Sequence, residues 1–128
     1  MNNSEQNFVH LHVHSEYSLL DGASRCADIA RRASEMKMGA AALTDHGVMY
    51  GCVEFFNACK NNGVKPILGC EVYVAPSGHT CRDAKEQFHL VLLAENDAGY
   101  HNLLRLVSTA CTEGFYYKPR IDHDLLSR

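Results

Sequence analysis

Apolar and polar residues along the chain follow two spacings in turn. Short apolar runs at residues 8–13, 40–44, 66–75 and 88–94 predict four β-strands. Segments with apolar residues at helical spacing follow three of these runs. Four successive βα units predict an α/β fold in which parallel strands are joined by crossover helices.

Capping residues mark the ends of the three predicted helices. Ser24 is the expected N-cap of the first helix, and Gly39 is its expected C′ residue. The second helix covers residues 51–62, and the third extends from an N-cap at Asn96 to Gly114. The residues expected to pack inward are Cys26, Ile29, Ala30, Ala33 and Met36 in the first helix, Val53, Phe56 and Cys59 in the second, and Tyr100, Leu103, Leu104, Val107 and Cys111 in the third.

Histidines alternate with aliphatic residues in and just after the first apolar run. They are His10, His12 and His14, and alternate residues of a strand share one face. A single histidine near a strand end is more often a structural residue than a ligand. Neutral imidazole is nevertheless the commonest metal ligand in proteins. Whether these histidines bind a metal therefore depends on which other side chains lie nearby.

Further ligand-type residues follow in the other predicted strands and loops. Asp21 lies in the first βα loop and His46 follows the second strand, whereas Glu71 and His89 fall inside the third and fourth strands. Sites in parallel α/β sheets lie beyond the carboxyl ends of the strands, where ligands from several strands can converge on a cation. The sequence therefore predicts one metal site, with the candidate ligands His12, His14, Asp21, His46, Glu71 and His89.

Composition narrows the range of functions. The chain has 128 residues, 46% of them hydrophobic, which is enough for a core of its own. Its formal net charge of −3 argues against a domain that holds DNA by phosphate contacts alone. The six cysteines are scattered without a C-x-x-C pair, which predicts reduced and mostly buried thiols. The sequence carries no signal-peptide pattern and no membrane-spanning stretch, so a cytoplasmic location without membrane contact is expected.

Several motifs, taken together, resemble those of a known family. Similar metal motifs occur in the same order in the polymerase and histidinol phosphatase (PHP) superfamily; here they read H-V-H-S-E-Y-S-L-L-D-G, A-L-T-D-H-G, G-C-E-V-Y-V and F-H-L-V-L-L-A. Two longer segments resemble, more narrowly, the N-terminal PHP domain of bacterial DNA polymerase III alpha subunits. They are N-N-G-V-K-P-I-L-G-C-E-V-Y-V-A and E-G-F-Y-Y-K-P-R-I-D. Because several motifs occur in order, the resemblance is specific, whereas a single H-x-H would be weak.

The resemblance implies a distorted βα barrel with a centre of up to three divalent metal ions. It assigns the candidate ligands to three metals: His12 and His14 with Glu71, Asp21 with His46, and His89 with a bridging Glu71. A carboxylate suits a bridging position because it has two oxygens. Imidazole and carboxylate ligands fit zinc, manganese or iron and do not choose among them. The histidines that match no ligand of the family pattern are His10, His79, His101 and His123.

The family pattern also contains ligands that this sequence does not reach. A cysteine or histidine and a final Asp-x-His pair are expected further downstream, whereas the sequence stops at Arg128. Asp122 precedes His123 and Asp124, but it resembles the N-cap of a helix rather than that pair. A (βα)₈ barrel takes about 250 residues. We therefore expect residues 1–128 to form the N-terminal part of a PHP domain, without an internal domain boundary, and to be inactive as an isolated fragment.

Phosphoester hydrolysis is the implied activity, and three hypotheses remain. In the first, the chain belongs to a replicative DNA polymerase III alpha subunit, its PHP domain is a metal-dependent 3′–5′ proofreading exonuclease, and nucleotidyl transfer occurs elsewhere in the subunit. The second is a free-standing PHP phosphatase acting on a small phosphomonoester, and the third is a noncatalytic metal-binding scaffold. The polymerase-like motifs favour the first. Its partners would be the remainder of the alpha subunit, DNA bound through the full-length protein, and replisome components.

Overall fold

The computed structural model describes residues 8–128 and has a mixed α/β architecture. Its elements in chain order are α1 (Cys26–Glu35), β1 (Ala40–Leu43), α2 (Cys52–Asn61), β2 (Lys65–Val74), β3 (Phe88–Leu93), α3 (Asp97–Thr112), β4 (Arg120–Ile121) and α4 (His123–Leu126). None of the helices within this range is long and apolar enough to cross a membrane.

A sheet with β2 at its centre organises the fold. β1, β2 and β3 are neighbours in that order, and the short β4 also pairs with β2. β1 and β2 are parallel, with Ala40 opposite Lys65, and the same register continues to a single bridge between His46 and Glu71. β1, α2 and β2 thus form a βαβ unit, which confirms the predicted α/β class.

The direction of β3 differs from the prediction of four parallel strands. β3 is antiparallel to β2, with Val91 opposite Glu71 and His89 opposite Tyr73. Residues 75–87 join the two strands without a helix, and an antiparallel neighbour needs no crossover helix. The polar, non-periodic sequence of this connection is the signal that indicates the reversal. As a result, the start of β3 lies beside the end of β2.

Residues 8–13, predicted as the first strand, form an irregular extended segment instead. The segment follows β1 in parallel, and the carbonyls of His10 and Val13 accept hydrogen bonds from the N–H groups of Ala42 and Thr44. The Val13 N–H donates to the Thr44 hydroxyl, at 2.9 Å, rather than to a backbone carbonyl. Because this side chain replaces a ladder bond, no regular strand forms.

The ends of α1 also differ from the predicted ones. Arg25 occupies the N-cap position expected for Ser24, and no side chain caps the helix. After the helix, Lys37 adopts the left-handed backbone conformation, with φ of 58°, that was expected for Gly39. The helix therefore ends before Met36, whose side chain is exposed rather than packed inward.

The buried face of α2 agrees with the prediction at Cys59 but is shifted by one residue at the other two positions. Cys52, Phe55 and Cys59 are buried, whereas Val53 and Phe56 are exposed. Both sets have helical spacing, so the pattern alone does not choose between two adjacent phenylalanines. Packing against α1 and β1 determines that Phe55 is the buried phenylalanine, because it lies in the core cluster that these elements share.

The prediction for α3 is mostly confirmed. The Asn96 side chain caps the helix by accepting a backbone N–H of the first turn at 2.9 Å. Leu103 and Val107 are buried as predicted. Cys111 is exposed, because Ala110 occupies the inward position of the last turn.

Buried apolar residues form two clusters. The first consists of Cys26, Ala30, Ala33, Met38, Ala41, Leu43, Phe55, Cys59 and Val64. The second consists of Cys70, Val72, Val74, Leu103, Val107, Ala110 and Ile121. All six cysteines are free thiols and four of them are buried, as the sequence predicts.

Candidate metal centre

The six predicted ligands lie together at one edge of the sheet, where β1 ends and β3 begins. Five parts of the chain provide them: the extended segment with the residue that follows it (His12 and His14), the loop before α1 (Asp21), the residues after β1 (His46), β2 (Glu71) and the start of β3 (His89). Because β3 is antiparallel, His89 reaches this edge from the beginning of its strand. Their role as metal ligands remains a prediction.

Glu71 is the centre of the cluster and is only 3% exposed. Its Oε2 atom contacts Nε2 of His12 and lies 2.7 Å from Nε2 of His14. Its Oε1 atom lies 2.5 Å from Nδ1 of His89 and 3.7 Å from Nδ1 of His46. Each oxygen of one buried carboxylate therefore faces a different pair of imidazoles, which is the arrangement a bridging ligand requires.

Asp21 forms the opposite side of the cluster. Its Oδ2 atom lies 2.7 Å from Nε2 of His46 and 3.6 Å from Nδ1 of His14. His14 thus faces both carboxylates, whereas the family resemblance places it with Glu71 only. About half of the Asp21 side chain is exposed, so this side of the cluster is open to solvent.

The surroundings of the His46 ring suit a bound cation. Its Nδ1 atom is buried and has no hydrogen-bond partner among the described residues, which is unfavourable for a polar atom. A cation bound between this nitrogen and Oε1 of Glu71 would satisfy both. The candidate ligands form three overlapping groups, and within each group the ligand atoms lie within 4.8 Å of one another. The groups are His12, His14 and Glu71; His14, Asp21 and His46; and His46, Glu71 and His89. These donors fit zinc, manganese or iron.

The electrostatics of the cluster also favour cations. Burial acts to raise the pKa of Glu71, but hydrogen bonds from His12 and His14 and the charge of His46 outweigh it and lower the pKa to about 2. The neighbouring Tyr73 has a raised pKa, first because of burial and then because of the nearby carboxylates. Glu71 therefore remains an anion at neutral pH.

Asp45 supports the centre, although the sequence analysis did not single it out. It is 1% exposed. It accepts hydrogen bonds from the Ser15 N–H and hydroxyl at 2.6 and 2.7 Å, and from the Ser18 hydroxyl at 2.6 Å. The Ser18 oxygen in turn accepts the His46 N–H at 3.1 Å. Its place directly after the wholly buried strand A-A-A-L-T draws attention to this carboxylate but does not indicate its partners.

Gly22 permits the close approach that positions Asp21. A Cβ atom at residue 22 would lie 1.9 Å from the carbonyl oxygen of Ser15, which no side chain tolerates. Glycine therefore lets the loop that carries Asp21 close against the residues that follow His14. This explains the D-G pair of the first motif.

Tyr73 is a second supporting residue that the sequence analysis missed. It follows Glu71 by two positions on β2, so it shares its face. Its buried ring stacks on His46, with 6.2 Å between centroids, and meets the ring of His89 edge-on at 5.1 Å. Tyr73 thereby orients two candidate ligands. The alternation in E-V-Y could have indicated it.

The four remaining histidines lie outside the cluster, as the sequence predicts. His10, His101 and His123 are exposed. His79 pairs with Asp122, with 2.5 Å between Nδ1 and Oδ2. Asp122 is also the N-cap of α4, as expected, because it accepts a backbone N–H of that helix at 2.9 Å.

Comparison with curated proteins finds relatives among DNA polymerase III alpha subunits. The chain is 48% identical over 125 residues to the subunit from Borreliella burgdorferi and 50% identical over 130 residues to that from Deinococcus radiodurans. These matches cover 94% and 93% of the chain but only 11% and 10% of the relatives. The chain therefore spans about a tenth of the length of the curated relatives that it matches.

Two solved structures share the fold. One is an amidohydrolase from Chromobacterium violaceum with bound sulfate and no metal, which matches with a TM-score of 0.55 and 27% identity over 79% of this chain and 34% of that one. The other, provisionally assigned as a metal-dependent phosphoesterase, is from Bifidobacterium adolescentis. It matches with a TM-score of 0.55 and 16% identity over 80% and 34% of the two chains. These matches support the assignment of the fold as part of a βα barrel.

The family assignment rests on the length of the match and on the order of the motifs. The family model of the PHP domain matches residues 10–128, which include all six residues of the cluster and the elements that carry them. The chain therefore belongs to the PHP domain family.

Proposed function

We propose that this chain is the PHP region of a replicative DNA polymerase III alpha subunit, and that the region is a metal-dependent phosphodiesterase acting on the 3′ end of DNA. The observation that carries the proposal is the convergence of four imidazoles and two carboxylates in a chain about half identical to such subunits. The proposal includes the remainder of the subunit, DNA and replisome components as partners, and a cytoplasmic location.

The six clustered residues are the proposed ligands of up to three zinc or manganese ions. The chemistry that such ions supply is the activation of water for attack and the neutralisation of charge on phosphoryl oxygens.

The exposure of the ligands indicates the side from which a substrate approaches. Glu71 is buried, and His14 and His46 are mostly covered. The side chains of His12, Asp21 and His89, in contrast, are about half exposed. The buried carboxylate fixes the base of the centre, and the substrate meets the exposed side.

The test uses the full-length polypeptide that carries this chain. His14→Ala and Asp21→Ala should each reduce manganese- or zinc-dependent release of nucleotides from a primer 3′ end by on the order of a hundredfold, because a ligand is lost. Nucleotide incorporation should remain close to that of the parent, since it would use a separate metal site. Release of nucleotides and incorporation are measured on the same primer.

His101→Ala is the matched control, because this exposed histidine lies outside the cluster. It should leave both activities unchanged. Thermal melting separates lost chemistry from lost folding, since metal binding can stabilise a fold. A His14→Ala variant with the melting temperature and the exonuclease rate of the parent would refute the proposal. Bound metal without hydrolysis in the parent protein would favour the noncatalytic scaffold.

A further inference from the structure

A groove of about 640 Å3 adjoins the candidate metal centre. Asp21, His46 and His89 lie on one side of it. Its volume is in the range of sites that hold small organic ligands, about 300 to 1,000 Å3. The groove and the metal centre therefore form one continuous space.

Aromatic side chains form part of the remaining lining of this groove, together with aliphatic and polar residues. Tyr50, Phe115 and Tyr117 all belong to its wall, and all three are exposed. They are half of the six exposed phenylalanines and tyrosines among residues 8–128. Exposed apolar surface that gathers beside a polar site is typical of ligand-binding surfaces.

The turn that presents two of these rings is held in a fixed shape. Tyr116 and Lys118 form a bridge around Tyr117, which adopts a left-handed backbone conformation with φ of 61°. A Cβ atom at Gly114 would lie 1.9 Å from the Arg120 carbonyl oxygen, so the base of the turn is closed. Such strained backbone positions tend to occur at binding sites.

Arg120 fixes the turn to the neighbouring loop. Its guanidinium is almost fully buried and donates hydrogen bonds to the carbonyls of Gly114, His79, Cys81 and Ala84. The turn that carries Phe115 and Tyr117 is thus attached to the loop of residues 79–84. These two rings are therefore preorganised, which reduces the entropy cost of binding.

Two lysines lie at the aromatic rings of this part of the chain. The Lys85 ammonium lies 3.9 Å from the centroid of the Tyr117 ring, and that of Lys118 lies 5.6 Å from the centroid of Tyr73. The Gln87 side chain also lines the groove, and its buried Oε1 atom has no hydrogen-bond partner among the described residues. The groove thus combines flat rings, a lysine in its lining, a second lysine beside the Tyr117 ring and an unused polar group.

We propose that this groove binds the unpaired end of a DNA strand, with bases stacked on Tyr50, Phe115 and Tyr117 and the terminal phosphodiester directed towards the metal centre. The inference rests on the proposed function and identifies where its substrate is held. Aromatic stacking suits every base, because each base has a flat π-face. It also agrees with a net charge of −3, since stacking does not require a basic surface.

The test measures binding of a fluorescent oligodeoxythymidylate to the 128-residue chain by anisotropy, in EDTA so that no hydrolysis occurs. Phe115→Ala and Tyr117→Ala should each raise Kd at least about fivefold, because one stacked base is lost. Tyr117→Phe keeps the flat ring and should bind like the parent. An abasic strand of the same length should bind more weakly than the thymidylate strand.

Phe8→Ala is the matched control. Phe8 is 57% exposed and Phe115 is 56% exposed, and Phe8 lies outside the groove. This variant should bind DNA like the parent. The salt dependence of log Kd should be shallow, with a slope of about 1 to 2, because only two lysines lie at the groove.

Three results would overturn the proposal. The first is that the parent chain does not bind the strand. The second is that it binds thymidylate and abasic strands equally. The third is that Phe115→Ala and Tyr117→Ala lower the melting temperature and leave Kd unchanged, because the rings would then pack against protein.

A measurement of manganese binding distinguishes failure of the groove assignment from failure of the proposed metal centre. His14→Ala removes a candidate ligand but no groove residue, so it should lose manganese affinity and still bind DNA in EDTA. Phe115→Ala and Tyr117→Ala should keep the manganese affinity of the parent. If only His14→Ala loses manganese affinity, and Phe115→Ala and Tyr117→Ala bind DNA like the parent chain, the groove assignment fails and the metal centre stands.

Discussion

Asp45 and Glu71 are two buried carboxylates with different surroundings. Among the described residues, the Asp45 carboxylate accepts hydrogen bonds only from serine groups, which are two hydroxyls and one backbone N–H. Glu71 faces imidazoles, whose nitrogens can each hold either a proton or a metal ion. The serine donors can satisfy the hydrogen-bonding capacity of the Asp45 carboxylate, but they do not offer nitrogen ligands for a metal ion. The imidazoles around Glu71 can exchange protons for cations.

The difference between the two carboxylates separates a structural role from a functional one. The Asp45 network is closed within the protein, because each donor already has its acceptor. The Glu71 cluster remains open, since the His46 Nδ1 atom is unpaired among the described residues and three of the six side chains are about half exposed. The comparison predicts that changing Asp45 mainly affects folding and that changing Glu71 mainly affects metal binding.

The largest expected loss of stability follows Asp45→Ala. The substitution leaves three buried donors of Ser15 and Ser18 without an acceptor, so the free energy of unfolding should fall by about 3 to 5 kcal/mol. Urea denaturation of the parent and the variant measures it. A Ser108→Ala substitution on the exposed side of α3 is the control and should change stability by less than about 0.5 kcal/mol. If Asp45→Ala lost less than about 1 kcal/mol, the structural role of this carboxylate would be wrong.

Glu71→Gln should show the reverse pattern. The amide keeps the shape of the side chain but loses the charge and one of the two oxygens that face imidazoles. Manganese affinity should therefore fall by on the order of a hundredfold, which is about 2.7 kcal/mol. The loss of unfolding free energy in EDTA should be smaller, about 1 kcal/mol, because several imidazoles can turn to water. Calorimetric titration and melting in EDTA measure the two effects.

A matched substitution sharpens this comparison. His10→Gln changes an exposed histidine of the same extended segment that lies outside the cluster. It should leave manganese affinity unchanged. Unaltered manganese binding by Glu71→Gln, together with a stability loss as large as that of Asp45→Ala, would show that both carboxylates are structural.

The sequence predicts the ligand cluster better than it predicts the strands that carry it. His12 and His14 share a side of an extended segment whether or not a regular ladder forms, so their proximity survives the loss of the predicted strand. His89 reaches the site although its strand runs in the opposite direction. A metal motif depends on which residues occur in order, whereas strand direction depends on the connection between strands, here residues 75–87.

Details that depend on packing were not predictable from the pattern. Phe55 and Phe56 are adjacent and chemically identical, so only tertiary contacts decide which one is buried. Asp45 was missed because its partners, Ser15 and Ser18, lie about 30 residues away in the chain. Hydrogen bonds between distant residues leave no periodic signal in a sequence.

The smallest of the three principal effects is expected for Asp122, which combines features of both carboxylates. It accepts backbone N–H groups from His79 and Leu125, and it also pairs with the His79 ring. Burial acts to raise the pKa of Asp122, but these hydrogen bonds and the charge of His79 outweigh it and lower the pKa from 3.8 to about 2.

A carboxylate whose pKa is lower in the folded state stabilises the protein above its unfolded pKa and loses that contribution as the pH falls. Asp122 should therefore contribute fully above about pH 4 and lose about 1 to 2 kcal/mol between pH 4 and pH 2. Urea denaturation at several pH values should show a steeper loss for the parent than for Asp122→Asn across this window. Other carboxylates, including Glu71, titrate in both proteins, so only the difference between the two slopes reports on Asp122. Equal slopes would mean that the His79 pair does not stabilise the fold.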